Sequence, residues 1–377
     1  MKKDFLKSPL VLAFSKVPDP RVLNRCKYKL IEIIGIVVCG VLCGCETWLE
    51  IEEFSIERED WFSKFFALED GLPSHDTLAR CFSLIEPSFF EQAFREWVKS
   101  LKGMKGTKTI AIDGKAVSGT QRSFNSGTYP LYLLNVFCHE TGLTLSQKKA
   151  SGPGHGEIFA AEECLDQLVL KGTIVTMDAG LGVNRIAQKI RDRGGDYLLP
   201  LKKNQRHSLK FIEKKFETPF KKVSRTESNE ISHGREEMRR CQVLPVSTED
   251  NSYLKNWPGL KTAIKVERRR TILKTNKTTT RVDYYISSCQ LNSSEALETV
   301  RSHWSIENKL HWNLDVAFRE DSWKVREKVA AENLSLASKI CMNLLEQTPG
   351  KQSKKVKMKK AGWNPDYLEN ILMNSSF

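Results

Sequence analysis

The sequence has no cysteine pairs: its ten Cys residues are scattered, with no CxxC motif and no cluster at metal-ligand spacing. This absence argues against a cysteine-held zinc site and predicts reduced thiols in a cytoplasmic protein. Long apolar runs are also missing. The longest, Ile33–Cys45, is shorter than the ~20 residues that a membrane-spanning helix needs. The N-terminus shows no signal-peptide cleavage pattern, so we expect no membrane association.

Acidic residues are too few to balance the basic ones, and the formal net charge is +13. The excess is concentrated. Residues 201–290 hold 21 Lys and Arg against 10 Asp and Glu, and residues 350–360 hold six Lys and no acid. Positive charge gathered in this way favours a polyanionic partner, most simply nucleic acid. The alternative is a set of solvated, lysine-rich loops.

Two carboxylates follow short, β-rich apolar runs. Asp113 ends the run KTIAID, and Asp178 ends the run GTIVTMD. An Asp at the carboxyl end of a strand faces the crevice where α/β sheets place their chemistry. For either residue alone, a turn-capping Asp before glycine remains the alternative.

The segment from Val300 to Asp321 has apolar residues at helical spacing, which predicts a single amphipathic helix. Glu307 lies on this helix, with His303 four residues before it and His311 four residues after it. We therefore expect the three side chains on one face. A carboxylate on the half-apolar side of a helix is costly unless it is paired or binds metal.

Two strand-end aspartates and a helix glutamate would form an oxygen-rich site suited to Mg²⁺ or Mn²⁺. Glu307 has three rivals on the same predicted helix, Asp315, Glu320 and Asp321. Asp315 lies two turns further on, and the other two lie near the helix end, so Glu307 is favoured. An ion pair with a neighbouring Lys, Arg or His is the alternative role for Glu307.

The chain divides into four predicted regions. They are an N-terminal helical domain (1–103), a split catalytic domain (104–204 and 283–346), a β-rich basic insertion (205–282) and a basic C-terminal tail (347–377). Within the first region we expect irregular residues 1–25 and one amphipathic helix over Trp48–Phe66. In the catalytic region, the residues predict a strand at Thr107–Asp113 and a hairpin formed by Leu131–His139 and Leu143–Lys149.

Strands and helices then alternate, which predicts a mixed β-sheet flanked by helices, an α+β or α/β architecture. The first Asp lies on the opening strand of this sheet and the second on the fourth strand. That order is the one expected of a ribonuclease-H-like (RNase H-like) fold.

Nine segments occur in an order that resembles a DDE transposase of the insertion-sequence type, in the H-repeat-associated group. They are PDPRVLNRCKYKLIEIIGIVVCGVLCG, PSHDTLARCFSLI, AIDGKAVSGT, VTMDAG, GGDYLLPLKKNQ, HGREEMRR, WPGLKTAIKVERRR, YYISS and RSHWSIENKLHWNLDVAFRED. The resemblance covers nearly the whole chain. It maps the family's acidic triad onto Asp113, Asp178 and Glu307.

The resemblance implies an RNase H-like core that binds terminal inverted repeats and target DNA and catalyses metal-dependent cleavage and strand transfer. Two Mg²⁺ or Mn²⁺ ions held by the triad would serve the reaction, on DNA bridged by a homo-oligomer such as a dimer. Residues interpreted as DNA or phosphate contacts are Lys115, Lys202, Lys203, Arg268, Arg269, Arg270 and His303. Solvated lysines and a packed helix histidine are the alternatives for these positions.

The sequence departs from the family pattern at several positions. Ser118 stands where family members commonly have Arg, and residues 181–184 lack the usual Gln. In the wider insertion-sequence group, Tyr, Arg and Lys often surround the Glu. Here those spacings hold Val300, His303 and Leu314.

Two other functions remain open at this point. A zinc hydrolase could use His303, Glu307 and His311, although the order is not HExxH and both aspartates would be unexplained. A repurposed transposase could still bind DNA through its basic regions without cutting it.

Overall fold

The computed structural model describes residues 7–102, 108–121, 129–152, 155–218 and 223–374. Its contacts divide the chain into two compact units. The first comprises Met1–Thr107, Gly114–Pro153 and Glu307–Phe377, and the second comprises Lys108–Asp113 and Gly154–Ile306. The division into four domains expected from the sequence stays a prediction.

The helices are α1 (Pro9–Phe14), α2 (Leu30–Cys43), α3 (Trp48–Ile56), α4 (Glu59–Phe62), α5 (His75–Leu84), α6 (Pro87–Lys99), α7 (His155–Asp166), α8 (Asn184–Asp192), α9 (Arg206–Glu217), α10 (Ser293–Ser305), α11 (Trp312–Val316), α12 (Lys328–Gln347), α13 (Lys354–Trp363) and α14 (Pro365–Asn374). The strands are β1 (Thr109–Val117), β2 (Leu131–Cys138), β3 (Thr144–Ala150), β4 (Ile174–Met177), β5 (Asp196–Leu201), β6 (Ser224–Ser232), β7 (Arg235–Pro245), β8 (Thr262–Ile272) and β9 (Lys277–Ser287).

The helical N-terminal region agrees with the prediction, with two corrections. Residues 1–25 are not all irregular, because Pro9–Phe14 forms α1 behind the capping hydroxyl of Ser8. Residues 1–6 lie outside the described residues. The predicted helix Trp48–Phe66 is instead α3 and the short α4, since Arg58 between them leaves helical geometry (φ −120°, ψ 19°).

The core of the first unit is built around α12. This helix is buried along most of its length and packs against α2, α5 and α6. Polar side chains on it are satisfied by neighbouring elements: the Asn333 amide donates to the carbonyls of Phe82 and Ile85, both at 2.9 Å. The predicted hairpin is present as β2 and β3, which pair antiparallel with Asn135 opposite Gln147.

The predicted basic C-terminal tail contains two helices, α13 and α14. Lys357 of α13 is buried, and its ammonium donates to the carbonyls of Leu345 (3.1 Å) and Thr348 (2.6 Å). Burial lowers the pKa of Lys357. This lysine therefore satisfies carbonyls at the end of α12, which the lysine count alone did not indicate. Residues 375–377 lie outside the described residues.

The second unit contains a mixed sheet in the strand order β1-β4-β5-β9-β8-β7-β6. Strands β1, β4 and β5 are parallel, whereas β5-β9-β8-β7-β6 are antiparallel. The mixed sheet predicted from the sequence is thus confirmed. The short β-type runs expected in residues 205–282 belong to longer strands that continue this sheet, and α9 also lies in that region.

Helices cover both faces of the second unit's sheet. Leu297 and Val300 of α10 pack on Val243 and Ile264 of β7 and β8. On the other face, Phe216 of α9 packs on Tyr284 of β9 (centroids 5.9 Å apart). In the part of the chain that is described, no single helix is long and apolar enough to cross a membrane.

Candidate active site

Asp113 and Asp178 lie at neighbouring positions of two paired strands in the second unit. Strands β1 and β4 are parallel, and their last registered pair is Ile112 with Met177. The next residue on each chain is the aspartate. Adjacent parallel strands therefore bring the two carboxylates to the same place along the sheet.

Asp113 is not at a strand end, however. Strand β1 continues to Val117, so the turn expected after Asp113 is absent. The extension passes Gly114, where a Cβ atom would lie 2.4 Å from the Tyr132 hydroxyl oxygen. Only glycine permits this close approach, and the glycine that suggested a turn is instead a packing requirement.

A loop and a short turn flank Asp178. One of its carboxylate oxygens accepts the backbone N–H of Leu181 (2.9 Å). The turn Lys203–Gln205 is tied to the same loop, because Asn204 donates to the Ala179 carbonyl at 2.6 Å. Gln205 also donates to the Gly182 carbonyl at 3.2 Å.

These bonds place Lys202 and Lys203 at one cleft with Asp178. The cleft has a volume of about 610 Å³ and is also lined by Asn204, Arg281 and other residues of β5, α9 and β9. Asp178 and both lysines are exposed. An exposed carboxylate beside two exposed ammonium groups can accept both a cation and a phosphate.

His303 of α10 is a neutral, packed residue. Its Nδ1 lies 3.1 Å from the Thr176 hydroxyl, two residues before Asp178. Burial lowers the pKa of His303 to about 4; the Asp178 carboxylate opposes this shift, and Lys202 adds to it. At neutral pH the imidazole is therefore uncharged and cannot form an ion pair with a phosphate.

Glu307 does not lie on a continuous α-helix. Helix α10 ends at Ser305, and Ile306–His311 forms a π-helical turn before α11. The predicted single helix Val300–Asp321 was therefore wrong. The i→i+5 hydrogen bonding of a π turn shifts the side-chain phase, so the α-helical face predicted for His303, Glu307 and His311 does not persist. Such turns occur frequently at functional sites, and Glu307 is exposed on this one.

The rivals of Glu307 have a different partner. The Lys115 ammonium lies 2.8 Å from Asp315, 3.0 Å from Glu320 and 3.2 Å from Asp321, all within the first unit. These acids are thus engaged by a lysine, which leaves Glu307 as the favoured third carboxylate. The side chain of Lys115 is only 8% exposed, whereas Lys202 is exposed. Lys115 is therefore less accessible than Lys202 for the DNA contact predicted from the sequence.

Arg268, Arg269 and Arg270 do not share one surface. Side chains alternate along a strand, so Arg269 faces away from the other two. Arg268 lies over the Trp304 ring (4.4 Å to the centroid), on the α10 side of the sheet. Trp304, one of the apolar residues at helical spacing in the segment Val300–Asp321, is 38% exposed and packs against this arginine. Arg269 lies on the other face, together with Tyr284 and α9. Tyr284 pairs with Lys265, and Arg269 is four residues beyond Lys265 on β8, so the side chains of Tyr284 and Arg269 point to the same face.

The donor set of Asp113 and Asp178 fits a hard divalent cation, since both supply carboxylate oxygens. Among the described residues, no group of three or more His, Cys, Asp or Glu is close enough to hold a metal ion. A joint site with Glu307 and the zinc alternative with His303 and His311 both stay predictions.

Two family models match the chain: "DDE_Tnp_1-associated" over residues 11–98 and "Transposase DDE domain" over residues 104–344. The chain is 36% identical over 369 residues to "Putative transposase YncI" of Escherichia coli O157:H7, covering 96% of this chain and 94% of that protein. It is 35% identical to "H repeat-associated putative transposase YhhI" of Escherichia coli K12, covering 96% and 97%. The chain belongs to the H-repeat-associated family of DDE transposases.

A solved piggyBac transposase synaptic complex with hairpin DNA is also similar to this transposase, with a TM-score of 0.46 and 11% identity. That likeness covers 99% of this chain and 77% of the other.

Sequence reasoning missed two parts of the transposase's site region. Asn204, which ties the lysine turn to the Asp178 loop, directly follows Lys202-Lys203 in the sequence. Its position offered a signal, since Asn is common in turns. The sequence held no signal for the pairing of Lys115 with the three acids around it, because the lysine and Asp321 are 206 residues apart.

Proposed function

We propose that this transposase binds the terminal inverted repeats of its element and catalyses DNA cleavage and strand transfer through Asp113, Asp178 and Glu307. The observation that carries the proposal is the parallel register that aligns Asp113 with Asp178. The cleft that joins Asp178 to Lys202 and Lys203 adds support. We further propose an RNase H-like core, which the mixed β1-β4-β5-β9 sheet supports, and action in the cytoplasm as a homo-oligomer on DNA.

The triad would hold Mg²⁺ or Mn²⁺, in two positions. When bound, such ions supply activation of a water or 3′-hydroxyl and stabilisation of the leaving oxygen. Asp113, half-buried on β1, would hold its carboxylate most firmly, and exposed Asp178 and Glu307 would complete the oxygen donors.

Lys202 and Lys203 would orient the scissile strand by binding its phosphates beside Asp178. Arg269, on the α9 face, would extend this contact along the duplex. His303 would act through packing rather than charge, because its imidazole is neutral at physiological pH. Its hydrogen bond with Thr176 would keep the end of β4, and so Asp178, in place.

The test is cleavage of DNA that carries the inverted repeats flanking the gene, with and without Mg²⁺ or Mn²⁺. Asp178→Asn should lose metal-dependent cutting while it still binds the ends. Asp192→Asn, an exposed acid of α8 in the same unit, is the matched control and should cut normally. Binding without cutting by wild type and variants alike would favour a repurposed DNA-binding protein, and the enzymatic proposal would fail.

A further inference from the structure

One set of charges, three of them buried and two (Asp315 and Asp321) exposed, is not explained by the proposed chemistry. We call it the charge cluster: Lys115, Asp315, Glu320, Asp321 and Lys339. All five residues belong to the first unit. Burying charges is costly unless they are paired and hydrogen-bonded, so such a cluster calls for a structural or functional reason.

Glu320 lies at the centre of the charge cluster and is fully buried. Its carboxylate is 3.0 Å from the Lys115 ammonium and 3.7 Å from that of Lys339, and it accepts a 2.5 Å hydrogen bond from the Ser335 hydroxyl. Although burial opposes ionisation, these partners lower the pKa of Glu320. The carboxylate is therefore an anion held between two cations.

Lys115 connects this centre to strand β1. Although burial opposes its charge, Glu320, Asp315 and Asp321 raise the pKa of Lys115. Lys115 lies two residues beyond Asp113 on the same strand. The Asp321 oxygen that it contacts also accepts the backbone N–H of Ser118 at 3.1 Å.

The end of this segment is also packed tightly. A Cβ atom at Gly119 would lie 2.2 Å from the Trp323 carbonyl oxygen and 3.0 Å from that of Asp321. The backbone of residues 321–323 leaves no room for a side chain at this position. Charge pairing and close backbone packing thus fix residues 115–119 against residues 315–323.

The same residues follow two members of the proposed triad along the chain. Lys115 follows Asp113, and Asp315 and Glu320 follow Glu307 beyond its π turn. From this arrangement we infer that Lys115 and Glu320 are positioning residues of the cleavage reaction, which fix the segments after Asp113 and after Glu307. The inference rests on the proposed function and replaces the earlier interpretation of Lys115 as a DNA contact.

The two roles of Lys115 predict different DNA binding. Loss of a phosphate contact lowers the slope of log K against log salt by about 0.9. A positioning residue leaves both affinity and slope unchanged but slows the chemical step, because a misplacement of ~1 Å can cost about 10²-fold in rate. The binding measurement is made in EDTA, so it does not depend on metal-loaded enzyme.

The experiment compares Lys115→Met with Lys202→Ala and with the control Arg319→Met. Arg319 precedes Glu320 but pairs with Glu46 at the surface. Single-turnover cleavage of the repeat ends should fall about 10²-fold in Lys115→Met, with unchanged salt slope. Lys202→Ala should lose slope, and Arg319→Met should match wild type. Lys115→Arg, which keeps the charge, should recover most of the cleavage rate.

A folding defect is separated from mispositioning by the triple variant Lys115→Met/Glu320→Gln/Lys339→Met, which replaces the buried carboxylate together with both of its cations. It should regain thermal stability while cleavage stays low. Normal cleavage by Lys115→Met or by the triple variant overturns the inference alone, as does a slope loss equal to that of Lys202→Ala. If wild type fails to cut, the proposed function is overturned and the positioning role falls with it.

Discussion

Both the charge cluster of the first unit and the exposed parts of strands β6–β9 in the second unit combine basic with acidic residues, but the two regions differ in how far these charges are buried. Lys115, Glu320 and Lys339 are 8%, 0% and 1% exposed. By contrast, Arg240 and Glu227, paired across β7 and β6 at 2.8 Å, are 54% and 50% exposed. A buried charge must be matched by fixed partners, whereas an exposed one is solvated and can exchange partners with a ligand.

The comparison changes how the net charge of +13 is interpreted. A count of lysines and arginines treats every cation as available to DNA. The structure divides them: Lys115, Lys339 and Lys357 are internal, whereas Lys202, Lys203 and Arg269 are exposed. The first set would have to break internal ion pairs or hydrogen bonds before neutralising phosphates, whereas the second set would not.

The largest expected effect on stability comes from removing Lys115. Lys115→Met leaves Glu320 buried with one cation fewer, so the free energy of unfolding should fall by about 3–5 kcal/mol. Urea denaturation followed by circular dichroism measures the change. If the free energy of unfolding fell no more than in a surface variant, buried and exposed charges would not differ in their contribution to stability.

Arginines on opposite faces of β8 should differ in DNA binding. Arg269→Ala should lower the salt slope of DNA affinity by about 0.9, since its exposed side chain lies on the face of α9 and the Asp178 cleft. Arg270→Ala, on the α10 face, is the matched control and should leave the slope nearly unchanged. Titrations at several salt concentrations test this, and equal losses for both arginines would refute a one-faced contact.

The smallest effect is expected at Glu230, which pairs with Arg301 at 2.7 Å on the surface of the second unit. Glu230→Gln should change the free energy of unfolding by less than about 1 kcal/mol, as is usual for an exposed pair. Denaturation at neutral pH measures it, and a loss comparable to that of Lys115→Met would contradict the account.

The same pair predicts a pH dependence. The hydrogen bond from Arg301 lowers the pKa of Glu230 in the folded state below its ordinary value of 4.5. The stabilisation is therefore complete above that value and is lost as the pH falls through the folded-state pKa. The small difference between wild type and Glu230→Gln should vanish in acid.

Local patterns in the sequence predicted the strands that are formed by short runs of neighbouring apolar residues. Short apolar runs predicted β4 and the β2–β3 hairpin and placed Asp113 and Asp178 after two strand-like segments. That these strands are neighbours is seen only in the structure, where β1 pairs with β4. Helical spacing could not reveal the π turn at Glu307, because its residue pattern still resembles an α-helix over a few residues.

Long-range partners explain most of what the sequence did not predict. Lys115 is buried because carboxylates some two hundred residues away surround it, with Asp321 206 positions distant. Strand β1 passes Gly114 because Tyr132 packs against that glycine, not because the chain turns there. The helical C-terminal region depends on carbonyls at the end of α12 that accept from Lys357.

The most direct test of the account is metal-dependent cleavage of the repeat ends by Glu307→Gln and by Glu298→Gln, an exposed acid of α10. The account predicts that Glu307→Gln binds the ends with wild-type affinity in EDTA but does not cut in Mg²⁺ or Mn²⁺. Glu298→Gln should cut normally. Wild-type cutting by Glu307→Gln would contradict the assignment of the third carboxylate.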